Sequence, residues 1–345
     1  MAITAREVAF EAGVSVSTVS RALARPDMVS AATRARVEAA ARQLNYHPNS
    51  VARGLSTGKT YHLGLMVPDL ENPFFASVAK SVQLHARRLG YSVFIADTDE
   101  DPSVEGSLVH QLASQIDGII VAPRSPDAQV AQWAKAVPLV LVNRLVPGLG
   151  AVLVDNADGI FQAVRHLWAL GHRTIAYVGG PRNSWSDGQR RTAFAEAIAS
   201  FDTLNGVDLG PFQPFHQGGV AAADLVLASR ASAVLAYNDL IALGILERLR
   251  DRRVAVPTDL SVVGIDGITL SGLVAPALTT VAMPFRLIGQ TSVDLLVSAD
   301  RSQVTTLPVE LTVRASTGEA PTGLIPASVR TNRTTEMSGQ AGPSQ

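Results

Sequence analysis

Apolar positions recur at helical spacing from the start of the chain. In TAREVAFEAGVSVSTVSRAL, residues 4–23, Val8, Ala9 and Ala12 fall on one side of a first helix, and Val19 and Leu23 on one side of a second. Thr4 stands where the first helix needs a cap, with Glu7 three residues on as the reciprocal partner of a capping box. Gly13 supplies the turn, because a residue without a β-carbon adopts positive φ at no steric cost, and Ser15 caps the second helix. A third helical pattern carries Val37, Ala40, Ala41 and Leu44 on one face. From His62 the period changes. The runs LGLMV, YSVFIAD, DGIIVAP and PLVLVN are short and β-rich, with helical stretches between them, and a second such series begins at Asp155 and runs through SVVGIDG. Repeated strand and helix units predict parallel sheets covered on both faces. The expected fold class is therefore α/β, an N-terminal helix-turn-helix head plus a two-lobed, doubly wound core whose cleft opens outside the carboxyl ends of the strands.

Charge sharpens the division between head and core. Residues 1–61 carry a formal balance of +4 and the remainder of the 345-residue chain −5. A basic head on an acidic body is the footprint expected when one end meets phosphate. There is no cysteine, which excludes disulfides, thiolate zinc sites and a cysteine nucleophile. With no membrane-length apolar run and no basic start followed by an apolar stretch, a cytoplasmic location is expected and no membrane partner. None of the seven histidines has metal-ligand spacing, and the phosphate loop, Gly-x-Ser-x-Gly elbow and His-Glu-x-x-His motifs are missing, so neither an enzyme nor a cofactor is expected.

In a helix-turn-helix the second helix lies in the major groove with its N-terminal side chains at the base edges. Val16, Ser17 and Arg21 take those places, supplying a methyl contact, a hydroxyl and a bidentate guanidinium. Residues 3–60 resemble the DNA-binding head of the lactose-repressor and purine-repressor family of bacterial transcription regulators, through VAFEAGVSVSTVSRAL, VSAATRARVEAAARQLNYHPN and VARGL. The resemblance implies a DNA-contacting set of Thr4, Ser15, Val16, Ser17, Thr18, Ser20 and Arg21, extended by Asn49, Arg53 and Leu55 in a hinge segment. In that family the hinge becomes helical when two subunits pair over a near-palindromic operator, and Leu55 matches a leucine that enters the minor groove. The expected division is a head over 1–47, hinge and linker over 48–61, a core over 62–320 and a disordered tail over 321–345.

The core motifs VPDLENPFF, LGHRTIAYVGG, AYNDLIALG, VVGIDG and VRAST resemble the effector domain of the same family, which shares its two-lobed form with periplasmic sugar-binding proteins. That architecture implies three crossings between lobes, expected near Asp155, Met283 and Arg314, giving a first lobe of 62–155 and 284–313 and a second of 156–283 and 314–320. Polar residues at strand ends suit a polyhydroxyl ligand: Asn143, Asn238 and Asp266, with Arg190 in the helix after a glycine-bearing loop. Phe74 and Phe75 offer an apolar cover, and Trp185 and Phe215 are further candidates, Trp185 equally suited to a plain surface role. By resemblance Arg190, Asn238 and Asp266 match family residues that touch effector, while Asn143 replaces the commoner aspartate. For Asp239, capping or hinge support stands slightly ahead of ligand contact, and His172 is expected at a helix C-terminus as a partly positive imidazole. The function implied is a homodimeric transcription regulator, a repressor, controlled by a small effector of the sugar class. The competing function is a solute-binding transport protein, which would have no use for the head.

Overall fold

The structure, a computed structural model, describes residues 3–24, 28–46 and 58–321. The hinge residues Asn49, Arg53 and Leu55 and all but the first residue of the expected tail lie outside them. The head is three helices, α1 (Ala5–Ala12), α2 (Val16–Ala24) and α3 (Ala31–Gln43). They close over Val8, Ala9, Ala12, Val19, Ala22, Val37, Ala40 and Ala41, with Leu23 and Leu44 packed at the margin. Gly13 sits at φ +62 and ends α1 in the left-handed conformation, so the chain turns within two residues into the Ser15 cap of α2.

The core begins with β1 (His62–Val67), α4 (Pro73–Arg88), β2 (Ser92–Asp97), α5 (Pro102–Leu112), β3 (Gly118–Val121), α6 (Asp127–Ala136), β4 (Leu139–Val142) and β5 (Gly150–Val154). It continues through α7 (Asn156–Ala169), β6 (Thr174–Val178), α8 (Trp185–Ala199), β7 (Asn205–Leu209), α9 (His216–Ala228), β8 (Ala233–Ala236), α10 (Asp239–Asp251), β9 (Ser261–Asp266), α11 (Thr269–Leu273) and β10 (Thr279–Ala282). The last elements are α12 (Phe285–Val297), β11 (Val304–Leu307) and β12 (Glu310–Thr312). One sheet runs β11-β5-β4-β3-β1-β2, the other β12-β10-β9-β8-β6-β7. Every pairing is parallel except β12 on β10. The central strands β3, β4 and β8 are buried along their whole length, as apolar runs covered on both faces must be.

The chain passes between sheets at Asp155, after Ala282 and between Leu307 and Glu310. The third passage therefore comes ahead of the expected position at Arg314. VTTLPVELTV has the composition of one strand, but Pro308 has no N–H to give a ladder, and the chain changes sheet there. Thr312 already lies opposite Thr280 in the second sheet.

Within the second lobe α9 and α10 cross with almost no side chain between them. A β-carbon on Gly219 would stand 2.0 Å from the Ile241 carbonyl oxygen, and one on Gly244 2.0 Å from that of His216. His172 does follow the C-terminus of α7, where its backbone N–H donates to the Leu167 carbonyl, but its ring is fully buried and is not the partly positive imidazole expected. Its ring nitrogens lie 2.9 Å from Ser232 Oγ, 3.1 Å from Ser261 Oγ and 3.1 Å from the Gly318 carbonyl, pinning the end of the described chain to the lobe. Burial pushes its pKa down, so the imidazole is held neutral.

Gly244→Ala should destabilise the second lobe by at least about 1–3 kcal/mol, since two backbones must move apart, read as a lower urea midpoint at unchanged slope. A histidine held neutral resists protonation in the fold but not in the unfolded chain. Stability should therefore be full above about pH 6.5, the ordinary imidazole value, and fall as pH drops toward the depressed folded value. Denaturant titrations between neutral and mildly acid pH should show this fall, and His172→Gln should flatten it.

Candidate functional site

Two surfaces gather chemistry. On the head, the Glu7 carboxylate accepts from the Thr4 backbone N–H at 2.7 Å and from its hydroxyl at 2.8 Å, closing the capping box. These bonds hold the Glu7 carboxyl below its ordinary pKa. At the second cap Ser15 Oγ accepts from the Thr18 backbone N–H at 3.1 Å and also meets the hydroxyls of Ser17 and Thr18. Val16, at 44 % exposure, Ser17, Ser20 and Arg21 point outward, while Thr18 is half-buried. The Arg21 guanidinium folds back so that Nε donates to the Ser17 carbonyl and Nη2 to Ser17 Oγ, each at 3.2 Å. Two of its five donors are thus fixed and the rest of the fork faces away from the helix.

The second surface is the cleft between the lobes, where the carboxyl ends of β1, β3, β4, β8 and β9 converge. In both sheets the strand order reverses next to the first strand of the lobe, at β1/β3 and at β6/β8, which is where open α/β sheets bind ligands. Phe74 and Phe75, buried in the first turn of α4, meet edge-on at 4.9 Å between ring centres. Asn72 caps that helix by accepting from the Phe74 N–H at 3.0 Å. Asn143, one residue past β4, is held at φ +51, and its Oδ1 is buried with no hydrogen-bond partner. Asn238 caps α10 by accepting from the Ile241 N–H at 2.9 Å and donates to the Pro214 carbonyl at 2.8 Å.

Arg190 occupies the centre. Its Nε donates to Asn156 Oδ1 at 2.8 Å and its Nη1 to the Tyr237 carbonyl at 2.6 Å, while Nη2 stands 4.0 Å from Asp266 Oδ1. The guanidinium also lies 5.0 Å over the Tyr237 ring. Asp266 ends β9 at φ +125. Burial pushes its carboxyl well above the ordinary range, and Arg190 only partly opposes this. Asp239 is different. It accepts from the backbone N–H groups of Gly267 and Ile268 at 2.9 Å, from Ser271 Oγ at 2.7 Å and from Thr280 Oγ1 at 2.6 Å. Burial nonetheless raises its pKa to about 6. Its oxygens are committed to the loop after β9, and it is a latch for that loop.

Three cleft groups escaped the sequence. Arg124, just past β3, donates from Nε and Nη2 to the two oxygens of Glu100 at 2.6 and 2.8 Å, both side chains nearly buried. Tyr237 lines the same space, its hydroxyl 2.9 Å from Ser184 Oγ. The strand-end position of Arg124 was a usable signal, whereas Glu100 sits in the acidic run DTDEDP, which has the composition of an ordinary turn. Two expected residues are not in the lining. Phe215 faces a separate depression with Pro181, Arg182 and Phe212, and Pro214 takes the place at the cleft because Asn238 holds its carbonyl there. Trp185, half-buried at the start of α8, packs on the first-lobe apolar cluster with Met66 and Trp133.

The space left in the cleft is about 30 Å³, enough for a water or two, so any larger ligand requires the lobes to part. A roomier depression of about 750 Å³ lies on the outer face of the second lobe among Leu243, Leu246, Val254, Leu270, Val274 and Pro276. It lacks the convergent buried polar groups of the cleft, and we assign the ligand site to the cleft. Among the described residues no group of acids or histidines is arranged to hold a metal ion.

Comparison with known proteins covers both the head and the core. Residues 4–49 match the model of bacterial regulatory proteins of the lacI family, and residues 164–317 that of a periplasmic binding protein-like domain. The HTH-type transcriptional repressor CytR of Escherichia coli K12 is 33 % identical over 93 % of this chain and 98 % of its own length. The crystal structure of the lac repressor dimer bound to operator and the anti-inducer ONPF superposes with a TM-score of 0.83 at 30 % identity, covering 92 % of this chain and all of that one. A LacI family transcriptional regulator from Enterococcus faecium with bound ribose gives 0.67 at 29 % identity over 74 % of this chain and 98 % of that one. With a head and core that both match and a relative similar along nearly its whole length, the chain belongs to the lacI family of bacterial regulatory proteins.

Proposed function

We propose that the chain is a sequence-specific, operator-binding transcription regulator, acting as a repressor in the cytoplasm, whose DNA affinity is set by a small carbohydrate-like effector bound between the lobes. The observation that carries this reading is one chain holding both an outward-facing helix α2 with Arg21 ordered on it and a cleft with the unpartnered Asn143 Oδ1 at a strand end. Phosphate contacts would fix the heads while Val16, Ser17 and Arg21 read base edges. The effector contacts we assign are Asn143, Arg190 and Asp266, with Phe74 and Phe75 as the apolar wall. Asn238 contributes one remaining amide proton.

Two copies related by a two-fold axis place two heads on a near-palindromic operator. The apolar depression on the second lobe, which Leu270 lines at 46 % exposure, supports self-association. Effector couples to DNA through the spacing of the lobes, because the cleft is nearly filled as it stands and a ligand must favour a more open arrangement to shift the balance. The relatives are regulators, and we read this chain as one without catalysis. No helix among the described residues is long and apolar enough to cross a membrane.

The experiment that tests the reading is an electrophoretic shift with genomic fragments, with and without candidate sugars; a chain that retards no fragment selectively is not an operator-binding regulator. Arg21→Ala should lower discrimination between operator and random DNA by about 1–3 kcal/mol while the dependence on salt changes little. Equal loss on both DNAs would remove Arg21 from base reading. Arg190→Ala should abolish effector binding in calorimetry and leave operator affinity without effector within a few-fold. It should also lower the thermal midpoint, because Asn156 Oδ1 and the Tyr237 carbonyl lose a buried donor.

A further inference from the structure

The cleft contains two buried guanidiniums, which at first sight invite a phosphorylated or carboxylated ligand. Two donors of each already meet protein acceptors. Glu100 takes Nε and Nη2 of Arg124 with both of its oxygens, and Asn156 and the Tyr237 carbonyl take Nε and Nη1 of Arg190, whose remaining edge faces Asp266. Glu100 offsets the charge of Arg124, and Asp266 is the acid that faces Arg190. The acceptors left open are the buried Oδ1 of Asn143, without a partner, and the carboxyl of Asp266, whose nearest base is 4.0 Å away. Both residues are held at positive φ, +51 and +125, in a region that residues with a β-carbon seldom adopt, and such strain collects at ligand clamps.

We propose that this cleft selects an uncharged polyhydroxyl ligand and rejects its phosphate esters and carboxylates, and that Glu100 imposes the selection by neutralising Arg124. The proposal rests on the reading of the cleft as the effector site and adds to it the charge class of the ligand. A hydroxyl donates to Asn143 Oδ1 and to Asp266, whereas an anionic oxygen at Asn143 Oδ1 sets acceptor against acceptor. Burial raises the Asp266 carboxyl, and a hydroxyl suits it in either protonation state because it both donates and accepts. The placement of Glu100 is structural. Asp99 and Glu100 both take left-handed φ, +50 and +56, and the Glu100 N–H donates to the Pro68 carbonyl at 2.7 Å. Asp97 steadies the same turn by accepting from the backbone N–H groups of Leu70 and Asp99. On the other side, buried Glu105 accepts from the Arg124 and Ser125 N–H groups at 2.7 and 2.9 Å. Carboxylate and guanidinium are each fixed by their own backbone before they meet.

The test is calorimetric titration of the full chain, without DNA, against D-ribose, D-xylose and D-glucose and against ribose 5-phosphate and glucose 6-phosphate. At least one neutral sugar should bind about tenfold or more tightly than its own phosphate ester. Glu100→Gln keeps the shape and frees a guanidinium charge, so the preference for neutral sugar should shrink about tenfold or reverse. Arg124→Gln leaves Glu100 unpaired and should widen the preference, and it serves if Glu100→Gln does not fold. A wild-type protein that binds a phosphate ester as well as the parent sugar overturns the proposal. So does a panel in which no neutral sugar binds, or a neutral-to-ester ratio that neither variant moves. Selective operator retention is measured separately, and its loss would count against the regulator reading while leaving the ligand preference as measured.

Discussion

A guanidinium taken out of water has to be met on its polar edges, and the Arg190 side chain turns that requirement into architecture. Its donors reach Asn156 at the start of α7 and the carbonyl at the end of β8, and its third edge looks toward the end of β9. One side chain thus fixes the spacing of three segments that line the cleft. Leaving any of these partners unpaired costs more than the bond itself returns, because each is buried. The Arg124 and Glu100 pair repeats the device in the first lobe. The cleft floor is therefore built from satisfied charges, and the few unsatisfied atoms stand out as places where something else belongs.

Those pairs need rigid elements beneath them. In the second lobe rigidity comes from close backbone packing, with Gly219 and Gly244 letting α9 and α10 approach until carbonyls lie where β-carbons would be. It also comes from Asp239, whose four donors tie the start of α10 to the loop after β9 and so set the place of Asp266. Burial raises this carboxyl to about 6 even against four donors. The head meets its geometry by cheaper means. Two caps and one left-handed glycine orient α2, and a pair of bonds from Arg21 to Ser17 orders the side chain that faces outward.

Much of this was legible in the sequence because it depends on local chemistry. The capping box at Thr4 and Glu7, the turn at Gly13 and the apolar faces of α1 to α3 each follow from residues within a few positions of one another. The alternating strands and helices from His62 follow likewise, as does the convergence of strand ends on a cleft, which parallel topology requires. Strands β5, β7, β10, β11 and β12 were not distinguished. Asn205–Leu209 is a polar edge strand with no alternation to mark it.

What only the tertiary structure decided lies in contacts between residues distant in the chain. The third passage between lobes turns on whether Glu310–Thr312 pairs with β10 or continues β11, a choice made by sheet partners and by Pro308. His172 had the sequence context of a helix terminus, but Ser232, Ser261 and Gly318 close around it and exclude the water that a charged ring needs. Phe215 and Pro214 are neighbours in sequence and face different spaces because Asn238 holds one carbonyl. Sequence named the polar residues at the strand ends. Which of them are free depends on partners that folding brings from 24 or more residues away, as Glu100 is to Arg124 and Asn156 to Arg190. Burial then sets their charge, and neither quantity is a property of local composition.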